Sequence, residues 1–354
     1  MPYGNGLRLE AMKNMIPNPE KIVERLSSFQ RTVREMIIAT RRTAGMHEVS
    51  RSSSADTIYK IDAEVDPLLE EFCRDWSREL PLVLVAEGLE DEDGQEADFR
   101  VFPHGISEQD APIRLLVDPI DGTRPIMYDK RSAWALAGVA PNKGAHARLR
   151  DIEVAVMTEL PTSKMGQADV LWAIRGRGPS AYRADLRDGS RAELKIAPSQ
   201  AAGIDHGFAS ITNFFPGTKI LAGELMEYLA AHLIGPADVT RATVYEDQYI
   251  STGGQFYELL VGHDRFNADL RPWFYKIQDQ PPGLCCHPYD CATWLIAEEA
   301  GIVITDGLGR PMDGPLDVTT PIAWAAFANR ALQQRIEPIL TNFLRDKLGD
   351  KINI

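Results

Sequence analysis

Apolar residues recur along this chain with two periods. Ile22, Val23, Leu26, Phe29, Val33, Ile37 and Ile38 fall at helical spacing, which predicts an amphipathic helix over about 19–45, with Asn18 as N-cap and Pro19 at the first helical position. Leu68, Leu69, Phe72 and Trp76 predict a second helix opened by Asp66-Pro67. Continuous apolar runs of strand length then stand at 81–86 and 115–117, and 134–140, 151–158 and 170–174 read as further strands. Gly176 and Gly178 mark the turn of a hairpin, and 183–190 is a polar turn. From 204 onward strand and helix patterns alternate: a strand within 205–211, a helix over 217–234, a helix from Ser251-Thr252-Gly253-Gly254 through Leu260, a strand at 266–269 and a helix after Asp290. The pattern alone predicts mixed α and β structure in two halves.

Bulk properties narrow the function. With 354 residues, 44% hydrophobic and 25% charged, the chain is long enough for one large or two medium domains with substantial cores. Its formal net charge of −13 argues against a nucleic-acid or anionic-membrane partner. An anionic substrate would need metal ions or a local basic patch. Residues 1–18 carry no apolar signal segment, and no run reaches transmembrane length, so a cytoplasmic protein is expected. Cys73, Cys285, Cys286 and Cys291 read as reduced thiols, and Cys285, Cys286, His287 and Cys291 lack the paired spacing of a zinc site.

The chemistry concentrates at the exit of one apolar run. Leu115-Leu116-Val117 leads into Asp118-Pro119-Ile120-Asp121-Gly122-Thr123. Unpaired carboxylates at the end of a buried strand are costly, and a hard divalent cation such as Mg²⁺ is the usual compensation. Pro119 stiffens the turn so that Asp118 and Asp121 can converge, with the Ile120 carbonyl between them. The amides of Gly122 and Thr123 could cradle an anion, which suggests phosphate chemistry. The run at 81–86 ends in the same way, in Glu87. The amides after Ser251 could also meet an anion or substrate hydroxyls. Taken alone, Asp290 before an apolar helix is equally an N-cap.

The string Asp-Pro-Ile-Asp-Gly-Thr resembles the metal-binding signature of the inositol monophosphatase family, within the superfamily that includes fructose-1,6-bisphosphatases. His287-Pro288-Tyr289-Asp290-Cys291-Ala292 resembles the second motif of that family, with Tyr289 where tryptophan is usual. The resemblance spans roughly 51–334. It implies a layered αβαβα sandwich with halves 1–198 and 199–354, and a lithium-sensitive, Mg²⁺-dependent phosphatase that hydrolyses a small phosphate monoester by a metal-activated water. The implied ligands of two or three Mg²⁺ ions are Glu87, Asp118, the Ile120 carbonyl, Asp121 and Asp290. Asp62, Glu87 and Thr123 would handle the water. Gly122, Thr123, Arg124, Thr252 and Asp269 would meet phosphate or substrate, Asp269 standing where the family binds a hydroxyl. A homodimer acting on a phosphorylated metabolite is the implied assembly. Arg124-Pro125 and the enlarged segment 270–287 depart from the family. With Lys130, Arg131 and Arg271, Arg124 leaves open a sugar bisphosphate or 3′-phosphonucleotide substrate. The departures also leave open a catalytically silent metal- or ligand-binding member.

Overall fold

Among the described residues, the apolar runs of the first half pair into a single sheet. The computed structural model describes residues 16–40, 49–52, 57–59, 61, 64–89, 97–236, 238 and 240–353. Strands β1 (Val49–Ser52) and β2 (Thr57–Tyr59) form a small separate ribbon. The main sheet uses β3 (Leu82–Ala86), β4 (Arg100–Phe102), β5 (Ile113–Asp121), β6 (Ala133–Pro141), β7 (Val154–Leu160), β8 (Gln167–Ile174), β9 (Pro179–Asp185) and β10 (Arg191–Glu193), in the order β10-β9-β8-β7-β6-β5-β3-β4. Its neighbours are antiparallel except for β3 and β5. A second sheet is ordered β11 (Phe208–Ile211), β12 (Asp264–Asp269), β14 (Trp324–Phe327) and β13 (Val303–Thr305).

Helices cover both sheets and fill the space between them. Helix α1 (Pro19–Thr40) packs on β6, β7 and β8, and α2 (Asp66–Ser77) packs on α1 and β3. Their apolar faces, with Leu26, Val33, Ile37 and Trp76, close one face of the main sheet. A one-turn helix, α3 (Thr123–Met127), follows β5. Helix α4 (Lys219–Leu233) lies outside the second sheet. Between the sheets sit α5 (Thr252–Leu260), which touches β6 and β12, and, beyond α6 (Arg271–Ile277), α7 (Trp294–Glu299), which touches β7, β8 and β13. Helix α8 (Arg330–Leu348) packs on α4 and β14. The order is αβαβα. Both faces of the main sheet are covered, so its strands are continuous apolar runs rather than alternating ones. One core cluster runs from Leu136 and Met157 of the main sheet through Phe256 and Leu295 to Trp324 and Phe327 of the second.

Two local differences from the sequence pattern have clear causes. The polar turn expected from residue 183 begins only after Asp185, because Arg183 stands opposite Asp169 across β8 and β9 and donates twice to its carboxylate at 2.7 Å. That cross-strand pair holds polar residues in the sheet. The helix expected directly after Asp290 is instead a 3₁₀ turn, Tyr289–Cys291, with α7 starting at Trp294. No helix among the described residues is long and apolar enough to cross a membrane.

Candidate functional site

Strand parity should set Asp118 and Asp121 on opposite faces of the sheet, because side chains alternate and these two are an odd number of positions apart. A bulge in β5 removes that conflict. Asp118 stands opposite Leu136 and Asp121 opposite Trp134, so β5 carries one residue more than β6 between the two pairs. Ile120 turns into the helix-covered core with Leu115 and Val117, whereas Leu116 lies in the core between the sheets. Both aspartates thereby reach the inter-sheet side. Glu87 follows β3, whose Ala86 is in parallel register with Val117, and so emerges beside Asp118.

The second sheet and the central helices bring the remaining parts. Helix α5 begins at Asp121: the Gly253 amide donates to Asp121 Oδ2 at 2.6 Å, the Ser251 hydroxyl donates to the same oxygen at 2.8 Å, and the Thr252 amide donates to Oδ1 at 3.3 Å. Ser251 also caps the helix by accepting from the Gly254 amide at 2.8 Å. A Cβ on Gly253 would fall 2.6 Å from Leu136 Cδ2 and 3.0 Å from Asp121 Oδ2, so only glycine permits this approach. Asp290 is not an N-cap. Its carboxylate accepts from the amide of His287, three residues upstream, at 2.6 Å, rather than from amides downstream. Its turn lies against β5 and β6, where a Cβ on Gly138 would fall 2.5 Å from the Ala292 carbonyl.

Carboxylate oxygens of Asp118, Asp121 and Asp290 converge within 4.8 Å of one another. Burial, and then the charges of Asp121, Asp290 and Glu87, push the Asp118 carboxyl well above the usual carboxylate range. Burial, and then Asp121, do the same to Asp290. Burial raises Asp121 only to about 7, because the amides and hydroxyl at the start of α5 favour its charged form. Among the described residues no ion pair reaches any of the three. Three converging acids with an all-oxygen donor set fit a hard divalent cation such as Mg²⁺.

No protein-family model matches the sequence, and no curated protein matches it. Solved structures do match it. The fructose-1,6-bisphosphatase of Leishmania major in its holo form is 14% identical with a TM-score of 0.63, over 94% of this chain and 96% of that one. The MJ0109 gene product, an inositol monophosphatase–fructose 1,6-bisphosphatase, is 17% identical with a TM-score of 0.59, over 89% and 98%. The Thermotoga maritima IMPase is 15% identical with a TM-score of 0.58, over 90% and 96%. The chain has the inositol monophosphatase/fructose-1,6-bisphosphatase fold. At these identities the likeness is one of fold, and what the site of this inositol monophosphatase-type fold can do rests on its own residues.

Most residues singled out in the sequence line one cleft over the acids: Glu87, Asp118, Ile120, Asp121, Gly122, Thr123, Arg124, Thr252 and Asp290. Gly122 has φ +98°, and a Cβ there would stand 3.2 Å from the Ile250 carbonyl and from Ser251 Cβ. The Thr123 hydroxyl donates to the Ile120 carbonyl at 2.8 Å. Asp62, expected beside Thr123, lies outside the described residues, as does the acidic stretch 90–96. Two expected substrate contacts have other partners. The Thr252 amide is bonded to Asp121, so the anion met by α5 belongs to the protein itself. Asp269 is 1% exposed, lies off the cleft wall and is gripped by Arg271, with its Nε donating at 2.9 Å and its Nη2 also donating. Arg131 pairs with Asp247 and Glu258 and stacks on Tyr249, away from the cleft. The sequence reading did not single out Phe214, Phe215, Leu284 and Cys285 as cleft lining, nor Ser251 and Gly138 as supports. The adjacent aromatics before Pro216-Gly217 were the available signal for the first pair.

Proposed function

We propose that this protein is a Mg²⁺-dependent phosphatase acting on a small phosphate monoester. The observation that carries the reading is the convergence of Asp118, Asp121 and Asp290 within 4.8 Å at the floor of a cleft. In this reading these acids, Glu87 and the Ile120 carbonyl hold two or three ions. When bound, Mg²⁺ supplies the charge that polarises the phosphoryl group and acidifies water. Glu87 accepts the proton of the attacking water, and the Thr123 hydroxyl, with Asp62, orients it. The Gly122 and Thr123 amides stabilise charge on the phosphoryl oxygens. The bonds from Ser251 and Gly253 favour the charged form of Asp121 and hold its carboxylate in place. No covalent intermediate is required.

The finer expectations belong to the same proposal: a phosphorylated metabolite as partner, a homodimer as assembly and the cytoplasm as compartment. Arg124 on the cleft wall favours a second reading, in which the substrate carries another anionic group, as a bisphosphate does. A silent binding protein is disfavoured because every acid that the resemblance makes a metal ligand is present, although Gly88 replaces the glutamate usual after Glu87. The test is inorganic phosphate release from inositol phosphates, sugar mono- and bisphosphates and nucleoside 3′-phosphates, with Mg²⁺, with EDTA and with Asp118→Asn protein. Release that needs both Mg²⁺ and Asp118 is expected. Release that survives EDTA and the substitution would overturn the reading.

A further inference from the structure

Beyond the acids, the cleft wall built by the C-terminal part of the chain carries an adjacent aromatic pair, Phe214 and Phe215, beside Arg271. Phe214 and Phe215 lie half-buried in the loop between β11 and α4, with ring centroids 4.9 Å apart and planes at 89°. The Arg271 guanidinium lies 5.1 Å from the Phe214 centroid and 5.6 Å from that of Phe215. Arg124 lies 5.1 Å from the Phe215 centroid. Leu284 and Cys285 continue the wall. Arg271 brings a planar guanidinium whose charge is paired with Asp269, which takes Nε and Nη2, while the Leu284 carbonyl takes Nη1 at 3.1 Å. The hydroxyl of Ser251 and the amide of Thr252 are turned to Asp121.

The loop is anchored at both ends. The Thr212 amide donates to the Ala268 carbonyl at 2.8 Å and the Asn213 amide to Gln248 Oε1 at 3.0 Å. The Gly217 carbonyl accepts from Gln278 Nε2 at 3.1 Å. The two rings are therefore part of a built wall.

This surface discriminates between leaving groups. A polyol needs a partner for each hydroxyl it buries, and an unpaired buried hydroxyl is costly. The carboxylate expected to supply one, Asp269, is withdrawn behind Arg271. A planar ring needs no such partner and gains by packing on aromatic rings and on flat guanidinium groups.

We propose that Phe214 and Phe215, backed by Arg271, bind a planar aromatic or heteroaromatic ring of the leaving group, so that the site favours aromatic over polyol phosphate monoesters. The proposal rests on the phosphatase reading for the seat of the phosphoryl group and on the wall alone for the ring.

The test compares two non-hydrolysable ligands with the same head group, phenylphosphonate and methylphosphonate, by titration calorimetry in Mg²⁺. Wild-type protein is expected to bind the phenyl compound about tenfold more tightly. The Phe214→Leu/Phe215→Leu double variant is expected to lose most of that preference and to keep its methylphosphonate affinity, which also reports that the fold is intact. Equal wild-type affinities, a preference that survives the double substitution, or no binding of either ligand would overturn the proposal. Phosphate release from phenyl phosphate and from an inositol phosphate separates the two claims. A ring preference without hydrolysis of any ester removes the phosphatase reading and leaves the ring site. Hydrolysis of the polyol ester as fast as the aryl ester leaves the phosphatase and removes the ring site.

Discussion

The Gly253 amide donates to Asp121 Oδ2 at 2.6 Å, so the first turn of a central helix ends on a carboxylate of the main sheet. The positive end of α5 favours the charged form of that one acid. This is why Asp121 rises only to about 7 while its neighbours Asp118 and Asp290 rise well above the usual range.

Ser251 serves that contact twice, as N-cap of α5 and as donor to Asp121. Ser251→Ala is expected to cost about 0.5–2 kcal/mol of stability, the range for a lost cap. It should weaken Mg²⁺ binding at least tenfold, as loss of a group supporting a metal ligand does. Chemical denaturation and Mg²⁺ titration read the two effects, and an unchanged Mg²⁺ affinity would count against Asp121 as a ligand.

Asp118→Asn should lower Mg²⁺-dependent phosphate release at least a thousandfold, roughly 4 kcal/mol in the barrier. In metal-free protein at pH 8 the same change should raise the melting temperature, because it removes a desolvated acid crowded by Asp121, Asp290 and Glu87. A variant that melts lower than wild type in EDTA would contradict the electrostatics described for this site.

Gly138→Ala places a methyl group 2.5 Å from the Ala292 carbonyl and 2.9 Å from Ile152 Cδ1. The turn that carries Asp290 must then lift from β6. The expected cost is about 1–3 kcal/mol, together with weaker Mg²⁺ binding. Wild-type Mg²⁺ affinity in a stably folded Gly138→Ala protein would show that Asp290 tolerates the displacement.

The metal-free protein should lose stability as pH rises. Asp121 titrates near 7 when folded, against about 3.9 in an unfolded chain. Between those values the folded state holds a proton that the unfolded state has released, so the contribution is full below the lower value and is lost as pH climbs through the upper one. Asp118 and Asp290, raised by burial and by the neighbouring acids, contribute a loss of the same sign. Bound Mg²⁺ should offset it, so the Mg²⁺-induced rise in melting temperature should grow from pH 5 to pH 8. Melts in EDTA and in Mg²⁺ across that range are the measurement, and a pH-independent difference would refute the linkage.

The sequence revealed much of this site, but unevenly. Asp118, Asp121 and Glu87 were legible because each stands where an apolar run stops, and a charge there needs a reason; Asp290, which precedes an apolar helix, was marked by the resemblance. The αβαβα order came from the resemblance and is matched by the layers observed. The convergence of Asp118 and Asp121 was expected from a turn stiffened by Pro119, but both lie within β5 and a bulge brings them together, a property of two paired strands that the periodicity of one cannot show. The start of α5 was readable as an anion site, but its anion is Asp121, more than a hundred positions away in the chain. Asp269 read as available because nothing in the order of residues shows that the turn into α6 folds Arg271 back onto it. Phe214 and Phe215 escaped because a loop has no period to break.

The bulge in β5 makes this centre depend on arithmetic as well as on residue type. Facing is decided by odd or even spacing, and the extra residue between Asp118 and Asp121 flips the sign once. Removing one residue there, or adding one, would send one aspartate into the helix-covered layer with Ile120 even though every acid in the chain survived. A shift of two would restore the facing and change only the reach. Proteins of this fold can therefore lose such a centre by a change in length that leaves its composition untouched.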